Sequence, residues 1–226
     1  MELYNILRNL AIKTIVTLPE NENLFDHFQN QLDTYDTPGI KQMSDIKKAE
    51  KKFKGDMFEL FCLLYLYHIN EFQWVSLFKD VPRELLQQMN FIHKGDFGID
   101  IIAFKNNEWY AIQCKYRKRE VTTYKGWSSD VIPWSDIATF YALVAKTGPW
   151  NKNIIMTSAK QIRRITGKSP NDISLCKGTF QKLNTAEWYK MFNITGLCVN
   201  SECQQTIKPN ITELRLLREK HFQPSN

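Results

Sequence analysis

The stretch Gly98–Lys115, with the sequence GIDIIAFKNNEWYAIQCK, decides the fold of this chain. Its first half is almost entirely apolar, which is typical of a strand buried on both faces. The pair Asn106-Asn107 then marks a tight turn, because asparagine adopts left-handed backbone angles at low cost. In the second half, successive side chains alternate between faces, so Gln113 and Lys115 point one way and Cys114 the other. The stretch predicts an antiparallel β-hairpin.

Three polar side chains stand at the open end of this hairpin. Pairing centred on the turn places Asp100 near Gln113, with Lys115 beside them. Carboxylate and amide oxygens are hard ligands that suit Mg²⁺, and a neighbouring ammonium group can face a phosphate. The arrangement predicts a metal-dependent phosphodiesterase site. The alternative is an ordinary surface hairpin, because Asp–Lys pairs across strands are common.

The same residues resemble a known nuclease superfamily. Asp100 followed by Gln113-Cys114-Lys115 resembles the Asp…(Glu/Gln)-x-Lys signature of the PD-(D/E)XK nucleases. Asp96–Asp100 resembles the Asp-x-Gly-Ile-Asp strand entry of the Mrr-like branch. Ala111–Tyr116 resembles a strand of the nuclease domains at the N-termini of helicase-type restriction enzymes and related helicases. The likeness extends over residues 55–192 and departs from the superfamily pattern in having glutamine at position 113 instead of glutamate.

The resemblance implies an α/β fold, with a restriction-endonuclease-like core in which helices flank a mixed central β-sheet. It also implies roles for the site. Asp100 would bridge a Mg²⁺ or Mn²⁺ ion and the phosphate, and the ion would also bind the side-chain oxygen of Gln113 and the backbone carbonyl of Cys114. Lys115 would orient the attacking water or stabilise the charged phosphate.

Glu59 is a fourth candidate for the site. It interrupts an apolar helical stretch, where a buried carboxylate is costly unless it is paired, binds a metal or faces a cleft. Gly55–Glu59 resembles the Gly-x-x-x-Glu pattern of the family, which implies that Glu59 contacts the metal through water. The alternative is a helix residue on a solvated edge.

A basic and aromatic segment follows the hairpin, and it is a candidate for DNA binding. Its candidate residues are Lys115, Tyr116, Arg117, Lys118, Arg119, Lys125 and Trp127. The alternative is a solvated loop whose aromatic rings pack into the core. The lysines at positions 47, 48, 51, 52 and 54 lie on one predicted helix and could reach DNA farther out, although a solvated helix face is the preferred explanation.

Composition favours a globular intracellular protein with a polyanionic partner. The net charge is +6 and the pI is about 9.0, with 43% hydrophobic and 24% charged residues. Five cysteines without a disulfide framework favour a reducing compartment. The N-terminus has no signal-peptide pattern and no apolar run is long enough to span a bilayer, so we expect a cytoplasmic protein with no membrane contact.

Periodicity and turn signals divide the chain into three parts. We expect a helical N-terminal extension at residues 1–54, a nuclease core at 55–195 and a polar C-terminal tail at 196–226 that ends in a short helix. The predicted helices lie at residues 44–68, 82–89, 135–146, 159–165, 185–192 and 213–221, and the strands outside the hairpin at 73–78, 154–157 and 173–176.

The leading hypothesis is a divalent-metal-dependent DNA endonuclease that serves a larger helicase-linked restriction or DNA-processing protein. The motor would be supplied in cis or in trans, because the only Gly-Lys-Ser sequence, at 167–169, lacks the leading glycine of a phosphate-binding loop. One alternative is a catalytically weak or inactive DNA-binding module of the same fold. Another is a junction-resolving nuclease acting as a homodimer on branched rather than duplex DNA. RNA as substrate is less favoured.

Overall fold

The computed structural model describes residues 2–35, 43–92, 98–119, 130–164, 167 and 169–194. Asp96, Lys125, Trp127, the polar tail and its expected helix lie outside these ranges. The helices are α1 (Glu2–Val16), α2 (Leu24–Asp33), α3 (Met43–His68), α4 (Arg83–Gln88), α5 (Ala138–Val144), α6 (Lys177–Phe180) and α7 (Thr185–Phe192). The strands are β1 (Trp74–Leu77), β2 (Ile101–Lys105), β3 (Glu108–Lys115), β4 (Val131–Ile132), β5 (Lys152–Thr157), β6 (Gln161–Ile162) and β7 (Asp172–Leu175).

A mixed five-stranded sheet forms the centre of the fold, in the order β1-β2-β3-β5-β7. β2 and β3 form the predicted antiparallel hairpin, and Lys105 faces Glu108 across the turn. Asn106 and Asn107 have φ angles of 50° and 66°, as the turn chemistry requires. β1 pairs antiparallel with β2, whereas β5 and β7 continue the sheet parallel to β3. The expected α/β architecture with a mixed sheet is confirmed.

Helices cover both faces of the sheet, so the protein has two apolar layers. On one face, Ile101 and Ile112 pack with α1, α2, α3, α6 and α7 around aromatic residues such as Phe61. On the other face, Ile102 and Ala111 pack with α4, α5 and the small β4–β6 sheet. The near-continuous burial of β2 and β3 follows from this double cover. None of the helices in the described ranges is long and apolar enough to cross a membrane.

Two predictions made between residues 130 and 165 are wrong in detail. The expected helix at 159–165 is replaced by β6, which pairs in parallel with β4. Amide groups that a helix would use internally instead reach across, and those of Lys160 and Arg163 donate to the carbonyls of Asp130 and Ile132. The helix expected at 135–146 begins only at Ala138, because a 3₁₀ turn occupies the residues just before it.

The N-terminal helices are joined to the rest of the fold rather than set apart from it. α3 runs without a break through residues 54 and 55, and α1 and α2 share one core with the sheet. A buried ion pair adds a polar link, since Lys177 on α6 lies 2.9 Å from Asp26 on α2. The boundaries at residues 54 and 195 stay predictions.

The Asp26–Lys177 pair makes a testable contribution to stability. Burial alone would raise the pKa of Asp26, but hydrogen bonds from Lys177, Asn23 and Gln181 and the charge of Lys177 hold the pKa below its ordinary value. Lys177→Met leaves this carboxylate without its cation, so we expect the free energy of unfolding near pH 7 to fall by about 3 kcal/mol. Urea unfolding measures it, with the exposed Lys182→Met as the control.

The acid dependence of this effect has a definite sign. Because the pKa of Asp26 is lowered by folding, its stabilisation is present above the unfolded pKa of about 3.9 and is lost as the pH falls through the folded pKa. The difference between wild type and Lys177→Met should therefore shrink below about pH 4. A difference that stays constant down to pH 2 would contradict the role given to this pair.

Candidate metal and phosphate site

The backbone at the start of β2 places Asp100 at the open end of the hairpin. The register pairs Ile101 with Ile112, yet the amide of Asp100 also donates to the Ile112 carbonyl at 2.9 Å. Two residues of one strand therefore face one residue of the other, as in a β-bulge. The carboxylate Oδ2 of Asp100 then accepts a 2.6 Å hydrogen bond from the amide of Cys114. Asp100 is thus held beside the QCK segment in a single orientation.

Gln113 is buried on the face of the sheet that packs with α4 and α5, the face to which Ala111 also points. Its side chain is on the face of β3 away from Cys114, and the residue is only 2% exposed. The side-chain oxygen Oε1 has no hydrogen-bond partner among the described residues. A Cβ added at Gly98 would lie 3.4 Å from Gln113 Nε2, and the φ angle of Gly98 is +98°. That distance is an ordinary van der Waals contact, so it is the backbone angle that favours glycine at this position.

Lys115 ends β3 and is half-buried. Its carbonyl accepts hydrogen bonds from Thr157 Oγ1 at 2.8 Å and from the amide of Ser158 at 3.3 Å, which anchors the backbone to the end of β5. Strand alternation directs its side chain to the same face as Gln113. Within the described ranges, no carboxylate forms an ion pair with its ammonium group.

Glu59 approaches the site from the helical side. It is half-buried on α3, one turn before Cys62, whose thiol hydrogen-bonds the thiol of Cys114. Burial raises the pKa of both thiols, and the nearby charges of Glu59 and Asp100 raise the pKa further. Both carboxylates therefore lie near the junction between α3 and β3. Cys114 packs into the core on the α3 side, and its side chain is directed away from Gln113, as strand alternation predicts.

The donor types among these residues suit a hard cation. Within the described part of the chain, no three His, Cys, Asp or Glu side chains cluster closely enough to hold a metal ion. A site built on Asp100 and Glu59 would therefore also require neutral oxygens, and the buried Oε1 of Gln113 is such an oxygen without a protein partner. Carboxylate, amide and carbonyl oxygens form the ligand set that Mg²⁺ accepts.

The segment that follows Lys115 is tied to α2. The hydroxyl of Tyr116 donates to Asp33 Oδ1 at 2.8 Å, its ring packs against Phe58, and its burial raises the pKa well above the ordinary value. Arg117 forms an ion pair with Asp136, and Arg119 forms one with Glu22.

The ring of Tyr116 therefore packs against the core, which is the alternative that the sequence left open for the aromatic residues of this segment. Lys118, in contrast, is exposed. Lys125 and Trp127 lie outside the described residues. DNA contact by this segment stays a prediction.

The model of a family described as restriction endonuclease matches residues 67–188, more than half of the 226 residues. The chain belongs to this restriction endonuclease family. The match includes the hairpin, β5 and β7 but begins after the part of α3 that carries Glu59. Searches of curated proteins and of solved structures found no match to the chain.

Membership of this family agrees with the observed fold, and it indicates that the chain is a nuclease. The structure also brings forward residues that sequence reasoning did not assign to the site. Thr157 and Ser158 hold the backbone around Lys115, and Gly98 lies against the Gln113 amide. The sequence contained a signal that could have identified Thr157 and Ser158, because they stand at the carboxyl end of a buried apolar strand. In α/β sheets, ligands bind at the carboxyl ends of such strands.

Proposed function

We propose that this chain is a divalent-metal-dependent DNA endonuclease of the Mrr-like type. Asp100, the side-chain oxygen of Gln113 and the carbonyl of Cys114 would hold one Mg²⁺ or Mn²⁺ ion, with Glu59 contacting it through water. The observation that carries the proposal is the buried Oε1 of Gln113, which has no hydrogen-bond partner among the described residues. Gln113 directly precedes Cys114, whose amide binds Asp100, and it stands two residues before Lys115.

When bound, the ion would lower the pKa of a water molecule and offset negative charge on the phosphate. The chain contributes the remaining chemistry. Asp100 is oriented by the Cys114 amide, so its carboxylate needs little reorganisation to act on an incoming group. Lys115 supplies a positive charge for the pentavalent phosphate or for the attacking water. Its backbone is fixed by Thr157 and Ser158, which limits where its ammonium group can reach.

The proposed DNA contacts extend from Lys115 through the segment that follows. Lys118 is exposed and lies near Lys54, where it could meet a phosphate, whereas Tyr116, Arg117 and Arg119 have acidic partners that shape the segment. Lys125 and Trp127 complete the proposed contact set. The larger assembly that we propose includes a helicase or translocase in cis or in trans, and a cytoplasmic location and a homodimer remain part of the hypothesis.

Cleavage of plasmid, linear duplex and branched DNA with Mg²⁺, Mn²⁺ or EDTA tests the proposal. We expect cleavage only with metal, and a loss of about 10²–10³-fold in rate for Lys115→Met, because it removes a group that stabilises transition-state charge. The control is Lys152→Met, on the neighbouring strand but opposite Tyr110 at the far end of β3. Equal cleavage by Lys115→Met and wild type would place the active site elsewhere.

A DNA-binding module without catalysis is the second candidate. The neutral Gln113 favours it, because the site has one negative charge fewer than a site with glutamate there. Salt-dependent DNA binding without cleavage in either metal would support this candidate. Preference for four-way junctions over duplex, together with dimerisation, would support a junction-resolving nuclease.

A further inference from the structure

The N-terminal half of α3 is an exposed basic helix that continues directly into the half carrying Glu59. Its four exposed lysines are Lys47, Lys48, Lys51 and Lys52. From Met57 onward the same helix is mostly buried in the core, and no break separates the two halves. A rigid element therefore connects this basic surface to the proposed site.

Three of these lysines share a helix face with Glu59. Lys48, Lys51 and Lys52 precede Glu59 by 11, 8 and 7 residues, separations that return to one face of an α-helix. At about 1.5 Å per residue, they lie about 10–17 Å from Glu59 along the axis. One strand of B-DNA advances about 3.4 Å per phosphate, so this distance corresponds to about three to five nucleotides. We name Lys48, Lys51 and Lys52 the α3 lysine face.

Gly55 lies on the same face, between the lysines and Glu59. A Cβ at this position would meet nothing within 4 Å, so internal packing does not require glycine there. Glycine inside a helix lowers stability relative to alanine. The absence of a side chain leaves a shallow surface along which another molecule can approach the helix backbone.

A positive charge from a distant part of the chain also lies beside α3. Lys54 is buried, and its pKa is lowered mainly by burial and secondly by the positive charge of nearby Lys118. Lys118 comes from the segment just after Lys115, so the fold brings two like charges together next to α3. On the helix itself, Lys52 pairs with Asp56 at 2.9 Å, an exposed pair that a phosphate can replace.

From these observations we propose that duplex DNA flanking the cleaved bond lies along the α3 lysine face, with its phosphates on Lys48, Lys51 and Lys52 and its backbone passing over Gly55. This inference rests on the proposed nuclease function and specifies where the substrate extends beyond the site. It also gives α3 two roles, because one end binds the DNA backbone while Glu59 serves the metal. Duplex on one side of the cleaved bond therefore contributes to affinity.

The binding test uses the full chain and a fluorescent duplex of about 30 base pairs, which is longer than the distance from Glu59 to the lysines. EDTA is present so that no cleavage interferes. Lys48→Gln/Lys51→Gln/Lys52→Gln should raise Kd about tenfold or more and reduce the slope of log K against log salt by about 2–3. The control, Lys13→Gln/Lys146→Gln/Lys182→Gln, removes the same charge from exposed lysines elsewhere. Its salt slope should change by less than about 1.

Substitutions at Gly55 test the close approach independently of charge. Gly55→Ala should raise the melting temperature and leave Kd within about twofold, since it adds only one methyl group where there is space. Gly55→Leu should keep a melting temperature at or above that of wild type yet raise Kd about tenfold, because its side chain occupies the path of the DNA backbone.

The outcomes separate this inference from the nuclease proposal. If the lysine-face variant and its control lose affinity equally, or if Gly55→Leu binds as wild type does, the inference is wrong while metal-dependent cleavage by the wild type still stands. If the wild type neither binds nor cleaves DNA, the inference and the nuclease proposal both fall.

Discussion

Replacing Asp100 with asparagine is expected to abolish most DNA cleavage without unfolding the protein. Asparagine has almost the same shape and keeps an oxygen that can accept the hydrogen bond from the Cys114 amide, so the hairpin end should remain ordered. It removes one of the two carboxylates near the junction of α3 and β3. We expect the single-turnover rate to fall by at least about 10²–10³-fold, the effect of removing one preorganised electrostatic group.

The measurement combines the cleavage rate in Mg²⁺ with the melting temperature in EDTA. The matched control is Glu84→Gln, which neutralises an exposed carboxylate on α4. The expected pattern is an unchanged melting temperature for both variants and a large rate loss for Asp100→Asn alone. If Asp100→Asn cleaves as fast as Glu84→Gln, Asp100 has no role in the chemistry. If it unfolds, its hydrogen bond to Cys114 is a structural requirement and Lys115→Met becomes the decisive variant.

Replacing Gln113 with glutamate is expected to make the stability of the protein depend strongly on metal. Position 113 is 2% exposed, so a carboxylate there without a cation is costly. In EDTA we expect the free energy of unfolding to fall by about 3 kcal/mol. A bound ion would then stabilise the folded state according to its affinity, by about 2.7 kcal/mol at a hundredfold excess over Kd.

The test is thermal unfolding of Gln113→Glu and wild type with EDTA and with increasing Mg²⁺. Gln29→Glu is the matched control, because Gln29 is 1% exposed and its Oε1 also lacks a described partner, yet it lies on α2 and bonds the Arg117 carbonyl. Both variants should be less stable than wild type in EDTA, but only Gln113→Glu should recover with Mg²⁺. Recovery of both, or of neither, would argue against a metal at Gln113.

Local chemistry explains which predictions the structure confirms. The Asn106-Asn107 turn and the apolar runs on either side depend on backbone preference and burial within a few residues, so the hairpin could be predicted. Helix α7 could be predicted equally well, because Asn184 and Glu187 form a capping box that lies within four consecutive residues. The choice of Asp100, Gln113 and Lys115 came from their spacing around the turn together with a family resemblance.

Predictions that depended on distant partners were less complete. Residues 161 and 162 form a strand only because β4, about 30 residues earlier, offers carbonyl groups to pair with. The bulge at Asp100 and its hydrogen bond to Cys114 depend on how two strands meet, which spacing alone does not specify. The position of Tyr116 likewise depends on Asp33, a residue 83 positions earlier.

The sequence by itself determined the hairpin and the identity of the polar groups at the strand ends, because these follow from short-range periodicity and turn chemistry. It also indicated the α/β class, through the family resemblance. Only the tertiary structure decided how those groups are held. It buried Gln113 against Gly98, set Asp100 on the Cys114 amide and tied the segment after Lys115 to α2. The physical reason is that each of these contacts joins residues from separate elements, whose meeting depends on how the two apolar layers pack around the sheet.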